Sequence, residues 1–412
     1  MSTFTPESVW EFETVNRVKF GTGASEELPE VLDGFDADSV LLITDSELED
    51  LGLVDQLLGT LGTDLETHVF TGVEPDPSKD VFANALSRAR DVQPDALVAL
   101  GGGSAIDVTK TTSVLLGVDG EILDYVAPPT GDGKSVTEKA VPTVAIPTTS
   151  GTGSETSPVS VISLPEQDLK VGISSRYQYP DTALIDPGLT VSLPPAVTAS
   201  SGVDALTHAI EAYTTRRFDA KPSPETPAER PDYNGRNLVT DQFARSAIEL
   251  IADNLRTAVN NGADIEARRN MALASFMAGV AFTNAGLGAA HAMAMTVGAE
   301  FDSPHGATVA AVLPDVIRFN ATACPDRYRN VAELLGEDVE GLDRDVAARK
   351  AADGVEKLVS DVDLPTGLGE LGITVDAVPD LAAKTQKMER LLAGNSRRTD
   401  EAALEELYRD AL

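Results

Sequence analysis

Three of the four histidines, His208, His291 and His305, form with Asp204 a pattern that reads as a metal site. Asp204 and His208 are four residues apart in VDALTHAIEAY, a run with helical apolar periodicity, so both side chains leave one helix face and can share an ion. His291 lies in GAAHAMAM, also helical in composition, and His305 follows Pro304 in a DSPHGA turn that leads into an apolar segment. Three imidazoles and one carboxylate suit Fe²⁺ or Zn²⁺ and leave room for a substrate oxygen to join the coordination. A single buried histidine is more often a packed core residue than a ligand, and His68, in ETHVF, is read that way. The ordered combination with Asp204 separates the other three from that reading.

The second chemical element is DALVALGGGSAIDVTK, residues 95–110. Asp95 to Leu100 predicts a short buried strand, Gly101 to Gly103 a tight turn without side chains, and Ser104 onward a helix. Backbone N–H groups at such a helix start, at the positive end of the helix dipole, form an anion site suited to a pyrophosphate. The spacing is not G-x-G-x-x-G, and alone it fits a plain loop as well. A second loop follows a second buried strand in VPTVAIPTTSGTGSE, residues 141–155, where Thr148 to Ser154 supply hydroxyls and glycines for a ribose, a phosphate or a nicotinamide, or simply form a polar turn. The strand Val40 to Thr44 ends in Asp45, and a carboxylate there suits the two ribose hydroxyls of NAD and repels a 2′-phosphate.

With these motifs in place the chain resembles the iron-containing (group III) alcohol dehydrogenase family almost end to end. The likeness takes in FGTGA near residue 20, ITDSEL, PDPSKDVF, GGGSAIDVTK, PTTSGTGSE, DPGLTVSLPP, GVDALTHAIEAY, HAMAM with SPHG, and Asn395-Ser396-Arg397. The resemblance implies Asp204, His208, His291 and His305 as metal ligands and as the catalytic centre. It places Gly102, Gly103 and Ser104 on the pyrophosphate with Asp107 nearby, and Asp45, Thr148, Thr149, Ser150, Gly153 and Lys170 on the rest of NAD. NAD and Fe²⁺, with Zn²⁺ as the other candidate ion, are the cofactors it implies, and a dimer or larger the assembly. The activity implied is reversible hydride transfer between an alcohol and an aldehyde or ketone, the ion polarising the substrate oxygen.

Two features depart from the family pattern. Many relatives carry a further histidine four residues after the third ligand, where this chain has Met295, and a thioether passes no proton. Between Tyr213 and Asn237 there is also an apparent proline- and charge-rich insertion, which predicts a surface loop or, as a second reading, a lid or oligomer contact.

The elements that must position these residues follow from composition and order. At 412 residues and 42% hydrophobic content the chain is long enough for two cores. Short Val/Ile/Leu strands alternate with helical patterns through residue 187, which predicts an α/β nucleotide-binding domain with a mostly parallel sheet over 1–187. From residue 188 strand signals vanish and an all-α metal- and substrate-binding domain is expected over 188–412, including helices at Gln242–Val259, Ala267–Thr283 and Asp400–Leu412, with the active site in the cleft between the domains. Met271 to Ala299 carries no Asp, Glu, Lys or Arg, enough length for a membrane span. Its Ala/Gly content and the Asn284-Ala285-Gly286 break instead predict two buried helices.

The net charge of −34, from 66 acidic against 32 basic residues, argues against nucleic acid and anionic membrane as partners. Such a surface repels itself unless salt screens it, which predicts a halophilic, haloarchaeal origin. A single cysteine, Cys324, excludes an internal disulfide, and with no N-terminal signal pattern the expected location is cytoplasmic. The expected partner is a small alcohol or carbonyl compound. The competing readings are a hydroxyacid–oxoacid transhydrogenase or polyol dehydrogenase on the same scaffold, a dehydroquinate synthase-like lyase, and a non-enzymatic metal or nucleotide binder. The lyase reading calls for more Lys and Arg near the histidines than the chain has.

Overall fold

The computed structural model describes residues 9–167, 169–221, 226, 230–231 and 233–412. The chain divides into two compact units, Thr14–Ser192 and Leu193–Leu412, the second including the segment up to Glu13. The expected division at 187/188 lies close to this one, with the segment before Thr14 grouped with the second unit. Asp186 ties the turn that follows it to the first unit, accepting from Gly188 N at 2.9 Å and from Ser25 Oγ at 2.6 Å. Glu13 belongs to the helical unit because it and Asn284 exchange bonds, Glu13 N to Asn284 Oδ1 at 2.8 Å and Asn284 Nδ2 to Glu13 O at 2.9 Å.

The first unit contains strands β1 (Arg17–Phe20), β2 (Ser39–Asp45), β3 (Glu66–Val73), β4 (Ala96–Gly101), β5 (Thr143–Pro147), β6 (Val159–Leu164), β7 (Leu169–Ser174) and β8 (Thr182–Ile185). Six of them form one sheet in the order β1-β8-β5-β4-β2-β3, every pairing parallel, while β6 and β7 make a separate antiparallel hairpin. Helices α1 (Leu28–Asp33), α2 (Ser46–Asp50) and α3 (Leu53–Leu58) pack on one face, and α4 (Lys79–Val92) and α5 (Gly103–Leu115) on the other. Side-chain alternation makes both faces bury: Val40, Leu42, Val98 and Leu100 join the core under α1 to α3, whereas Leu41, Ile43 and Leu97 join Phe82, Ala85 and Val108. Strands buried on both faces read as continuous apolar runs, which is why they were visible in the sequence. Chain order reverses between β2 and β4, and ligands of open parallel sheets bind outside the strand ends at such a reversal.

The second unit is helical: α6 (Pro195–Thr214), α7 (Leu238–Asn260), α8 (Ile265–Ala285), α9 (Ala289–Phe301), α10 (His305–Ala321), α11 (Pro325–Leu334), α12 (Arg344–Asp361), α13 (Val378–Thr385), α14 (Glu389–Leu392) and α15 (Glu401–Asp410). Its core draws heavily on alanine, from Ala205 and Ala209 on α6 to Ala278 and Ala281 on α8. Small side chains let helix axes approach closely. One close approach is at Gly306, where a Cβ would lie 2.4 Å from the Ser200 carbonyl oxygen and 2.3 Å from its Oγ. That contact lays the start of α10 against α6, one residue after His305.

The uncharged stretch Met271 to Ala299 is two buried helices: α8 stops at Ala285, Gly286 takes φ 102°, and α9 leaves at 100° to α8. No single helix among the described residues is long and apolar enough to cross a membrane. The expected loop between Tyr213 and Asn237 lies partly outside the described residues. Its described arms meet at a bridge between Arg217 and Arg236, and Asn234 and Gly235 donate their N–H groups to Asn284 and Ala285 at the α8 end.

Candidate metal centre and nucleotide loops

Helix α6 starts behind Pro194-Pro195 and presents Asp204 and His208 one turn apart; α9 contributes His291 and the first residue of α10 is His305. All three imidazoles turn Nε2 toward one atom, Asp204 Oδ1, at 3.8 Å from His208, 3.5 Å from His291 and 3.4 Å from His305. Asp204, His208 and His291 are buried and offer donor atoms within 4.8 Å of one another, the one such group among the described residues. Asp204 Oδ1, His291 Nε2 and His208 Nδ1 are buried without a hydrogen-bond partner. Leaving Asp204 Oδ1 and His291 Nε2 so placed is costly, and a divalent cation between them removes that cost; His208 Nδ1 lies on the other side of its ring from the Nε2 that faces the ion. The donor set fits the ion.

Charge within this set is tuned by burial and by the partners. Burial drops His208 to about 4. Burial also works against charge on His291, but its contacts with Asp204 and Glu211 outweigh it and lift that ring to about 9. Asp204 stays well below the usual carboxylate range because the three rings outweigh its own desolvation. A cation arriving at His291 below about pH 9 therefore displaces a proton.

Two residues of this centre escaped the sequence analysis. Glu211 sits on α6 seven residues beyond Asp204, on the same face, and its carboxylate accepts from His291 Nδ1 at 2.6 Å, Gly288 N at 3.0 Å and Ala290 N at 2.8 Å. It thus caps α9 and holds the proton of His291 on Nδ1, leaving Nε2 for the ion. The continued i, i+4, i+7 spacing in DALTHAIE was the signal available. Asn395 accepts from Ala289 N at 3.3 Å while exchanging bonds with Asn320 at 2.8 and 2.9 Å, so the Asn-Ser-Arg motif anchors the start of α9. Nothing local in the sequence marks that contact. Phe282 stacks on His208 with ring centroids 4.3 Å apart and closes that side of the centre with an apolar surface.

In the first unit Asp45 ends β2 and caps α2, accepting from Leu48 N at 2.9 Å. It neighbours Gly101 at the end of β4, where a Cβ would lie 3.7 Å from Asp45 Oδ2. Gly102 is the N-cap of α5 and offers no capping side chain, so the N–H groups from Gly103 and Ser104 onward stay available to an anion. The second loop lies alongside: Thr148 N donates to Gly101 O at 3.0 Å, a Cβ on Gly102 would be 3.6 Å from Thr149 Oγ1, and Gly153 turns with φ 62°. Asp45, Gly102, Gly103, Ser104, Thr148, Thr149, Ser150 and Gly153 therefore gather at the carboxyl ends of β2, β4 and β5. An uncapped helix start behind glycines, beside a carboxylate and a hydroxyl-rich loop, fits a dinucleotide.

Two of the residues expected near NAD, Asp107 and Lys170, have partners within the unit. The Asp107 carboxylate points into the unit and is taken up by Ser154 Oγ, by Val161 N at 2.8 Å and by Lys110 Nζ at 3.1 Å. Lys170, on β7, has its ammonium paired with Asp76 at 2.8 Å. Met295 lies one turn after His291 on α9, half-buried. His68 pairs with Glu66 at 3.1 Å on β3, a surface contact away from the metal set.

A parallel-sheet unit with an open helix start, and a helical unit converging three histidines on an aspartate, define a nucleotide-linked metal-dependent oxidoreductase. Residues 15–187 match the iron-containing alcohol dehydrogenase family and residues 234–412 match the C-terminal part of the Fe-containing alcohol dehydrogenase family. The chain belongs to that family. It is 37% identical over 392 residues to long-chain-alcohol dehydrogenase 1 of Geobacillus thermodenitrificans, covering 95% of this chain and 94% of the relative. It is 35% identical over 410 residues to the mitochondrial hydroxyacid-oxoacid transhydrogenase of Xenopus laevis, covering 96% and 89%. The solved structure of a 1,3-propanediol oxidoreductase superposes with a TM-score of 0.89 at 34% identity, covering 98% of this chain and all of that one.

Proposed function

We propose that this protein is a metal-dependent, NAD-linked alcohol dehydrogenase that interconverts a primary or secondary alcohol and its carbonyl compound. The observation that carries this reading is the convergence of three Nε2 atoms on a buried, unpartnered Asp204 oxygen. A divalent cation held there would supply Lewis acidity toward a substrate oxygen, and NAD, when bound, would be the hydride acceptor. Asp204, His208, His291 and His305 fix the cation's place. Glu211 keeps the His291 proton off the coordinating nitrogen, and Phe282 shuts water out beside His208. Imidazole and carboxylate donors suit iron, which the family description names, and also zinc. The test is NAD reduction over short alcohols, diols and 2-, 3- and 4-hydroxy acids in high salt with Fe²⁺, Zn²⁺ or Mn²⁺. No turnover with any of them would overturn the reading. Because one well-matched relative is named a hydroxyacid-oxoacid transhydrogenase, the screen includes hydroxyacid plus oxoacid without added NAD. Exchange in that arm, through a nucleotide that stays bound, would establish the second reading.

Cofactor choice follows from Asp45. Its carboxylate stands where a 2′-phosphate would add negative charge, so kcat/KM is expected to favour NAD over NADP, and Asp45→Gly to narrow that ratio about tenfold. A wild-type preference for NADP would show that the carboxylate does not face the ribose.

Met295 holds no proton, so the substrate's hydroxyl proton passes to water or to nucleotide hydroxyls rather than to a side chain at this position. The wild-type kcat profile is expected to lack an ionisation in the histidine range, and Met295→His to introduce one at about 6.5, displaced by the nearby cation. Superimposable profiles at equal metal content would remove position 295 from the proton path.

The halophilic and cytoplasmic readings rest on the net charge of −34 and on a chain with one cysteine. Surplus carboxylates repel one another in dilute buffer, so the melting temperature is expected to rise between low salt and ~2 M KCl, beyond what closer charges alone would require screening for. Equal stability at both concentrations would refute the halophilic reading.

A further inference from the structure

Helix α5 carries a buried ion pair, Asp107 and Lys110. Lys110 is 1% exposed, and its Nζ lies 2.8 Å from Ser154 Oγ, 3.0 Å from Ser154 O, 3.1 Å from Ser157 O and 2.7 Å from Val159 O, with Asp107 Oδ1 at 3.1 Å. Asp107 accepts from Ser154 Oγ through one oxygen and from Val161 N through the other. Every charged atom of the pair is spent on the segment Ser154–Val161, which continues the hydroxyl-rich loop into β6.

That loop is anchored at its other end by Thr148 N on Gly101 O. Between the anchors run Thr149 to Gly153, with two glycines and a positive φ at Gly153, a stretch with little conformational preference of its own. The three carbonyl oxygens of Ser154, Ser157 and Val159 point at one spot, where a single ammonium bonds them together. A buried ion pair gives little net stability compared with apolar residues of the same volume, but it does select one arrangement of the groups it bonds.

We propose that Asp107 and Lys110 are positioning residues for NAD: the pair on α5 fixes the loop Thr148–Ser154 against the helix start of Gly102 to Ser104, and so sets nucleotide affinity. The inference rests on the reading of these two loops as the NAD site. Asp107 then acts on the cofactor through Ser154, not by touching it. The position of Lys110 two turns into α5 explains why a lysine close to a phosphate-binding helix start is no phosphate ligand.

The test compares the metal-loaded wild type with Lys110→Met, with the apolar pair Asp107→Leu/Lys110→Met, and with Ser154→Ala, reading NADH affinity by fluorescence titration, metal content and melting temperature. Lys110→Met alone buries an unpaired carboxylate and is expected to melt lower. The double variant is expected to fold with full metal content and to bind NADH at least about tenfold more weakly, with KM for NAD rising more than kcat falls. Ser154→Ala keeps both charges, so it reports even if the double variant fails to fold, and its expected loss is about threefold. NADH affinity within twofold of wild type in either folded variant, Ser154→Ala or the double, would overturn the proposal and leave the pair a packing feature. A wild type that binds no NADH would instead overturn the nucleotide reading, and this inference with it.

Discussion

Replacing His291 by alanine is expected to remove the bound metal and to lower turnover by about a thousandfold or more, since Lewis-acid stabilisation contributes several kcal/mol and each 1.4 kcal/mol is about tenfold. His291 is the ligand whose loss is least replaceable. It is buried, its Nε2 has no other partner, and its ring is fixed from behind by Glu211 at 2.6 Å. NADH affinity is expected to hold within about twofold, because the nucleotide residues lie in the Thr14–Ser192 unit. Metal analysis, NADH titration and steady-state rates on one preparation check all three. Full activity in the variant would discard the site.

The second large effect concerns a residue that touches no ion. Glu211→Gln leaves one carbonyl oxygen and puts an amide N–H₂ among three donors, the N–H groups of Gly288, Ala290 and His291 Nδ1. Those donors cannot all be accepted. Turning the ring to its other tautomer would let Nδ1 accept from the glutamine, but the proton would then sit on Nε2, where the cation belongs. Metal affinity is therefore expected to fall about 10- to 100-fold, the range for loss of a partner that orients a ligand. Chelator-buffered titration with Zn²⁺ or Co²⁺ measures it. The Co²⁺ absorption spectrum shows in addition whether the remaining geometry is altered, which a general loss of stability would not do. Unchanged affinity with a lowered melting temperature would reduce Glu211 to a helix cap.

What was legible in the sequence was whatever depends on neighbours along the chain. Asp204 and His208 share a face because a helix repeats every 3.6 residues, and the doubly covered strands show as apolar runs such as Ala96–Gly101. Gly102 to Ser104 could be placed because a strand on one side and a helix on the other leave little freedom for the turn. What stayed hidden depends on contacts made across long separations. The bond from Asn395 to the start of α9 joins residues more than a hundred positions apart, and nothing in the helix that carries Asp107 shows that Ser154 and Val161 would bond its carboxylate. Residues 9–13 look like the start of the sheet unit in chain order, but the bonds between Glu13 and Asn284, the Glu11–Arg230 pair and the stacking of Phe12 on Phe243 tie them to the other.

The donors of the metal centre come from α6, α9 and α10, with roughly eighty residues between the histidines of the first two helices, so an ion there closes a long loop as a disulfide would. With Cys324 alone, the chain has no disulfide to do so. The ion is then a fastener as well as a reagent. Without the ion the helices would be joined by packing and by bonds such as those of Glu211 to α9, and the metal-free form is expected to open to proteases more readily than the loaded one.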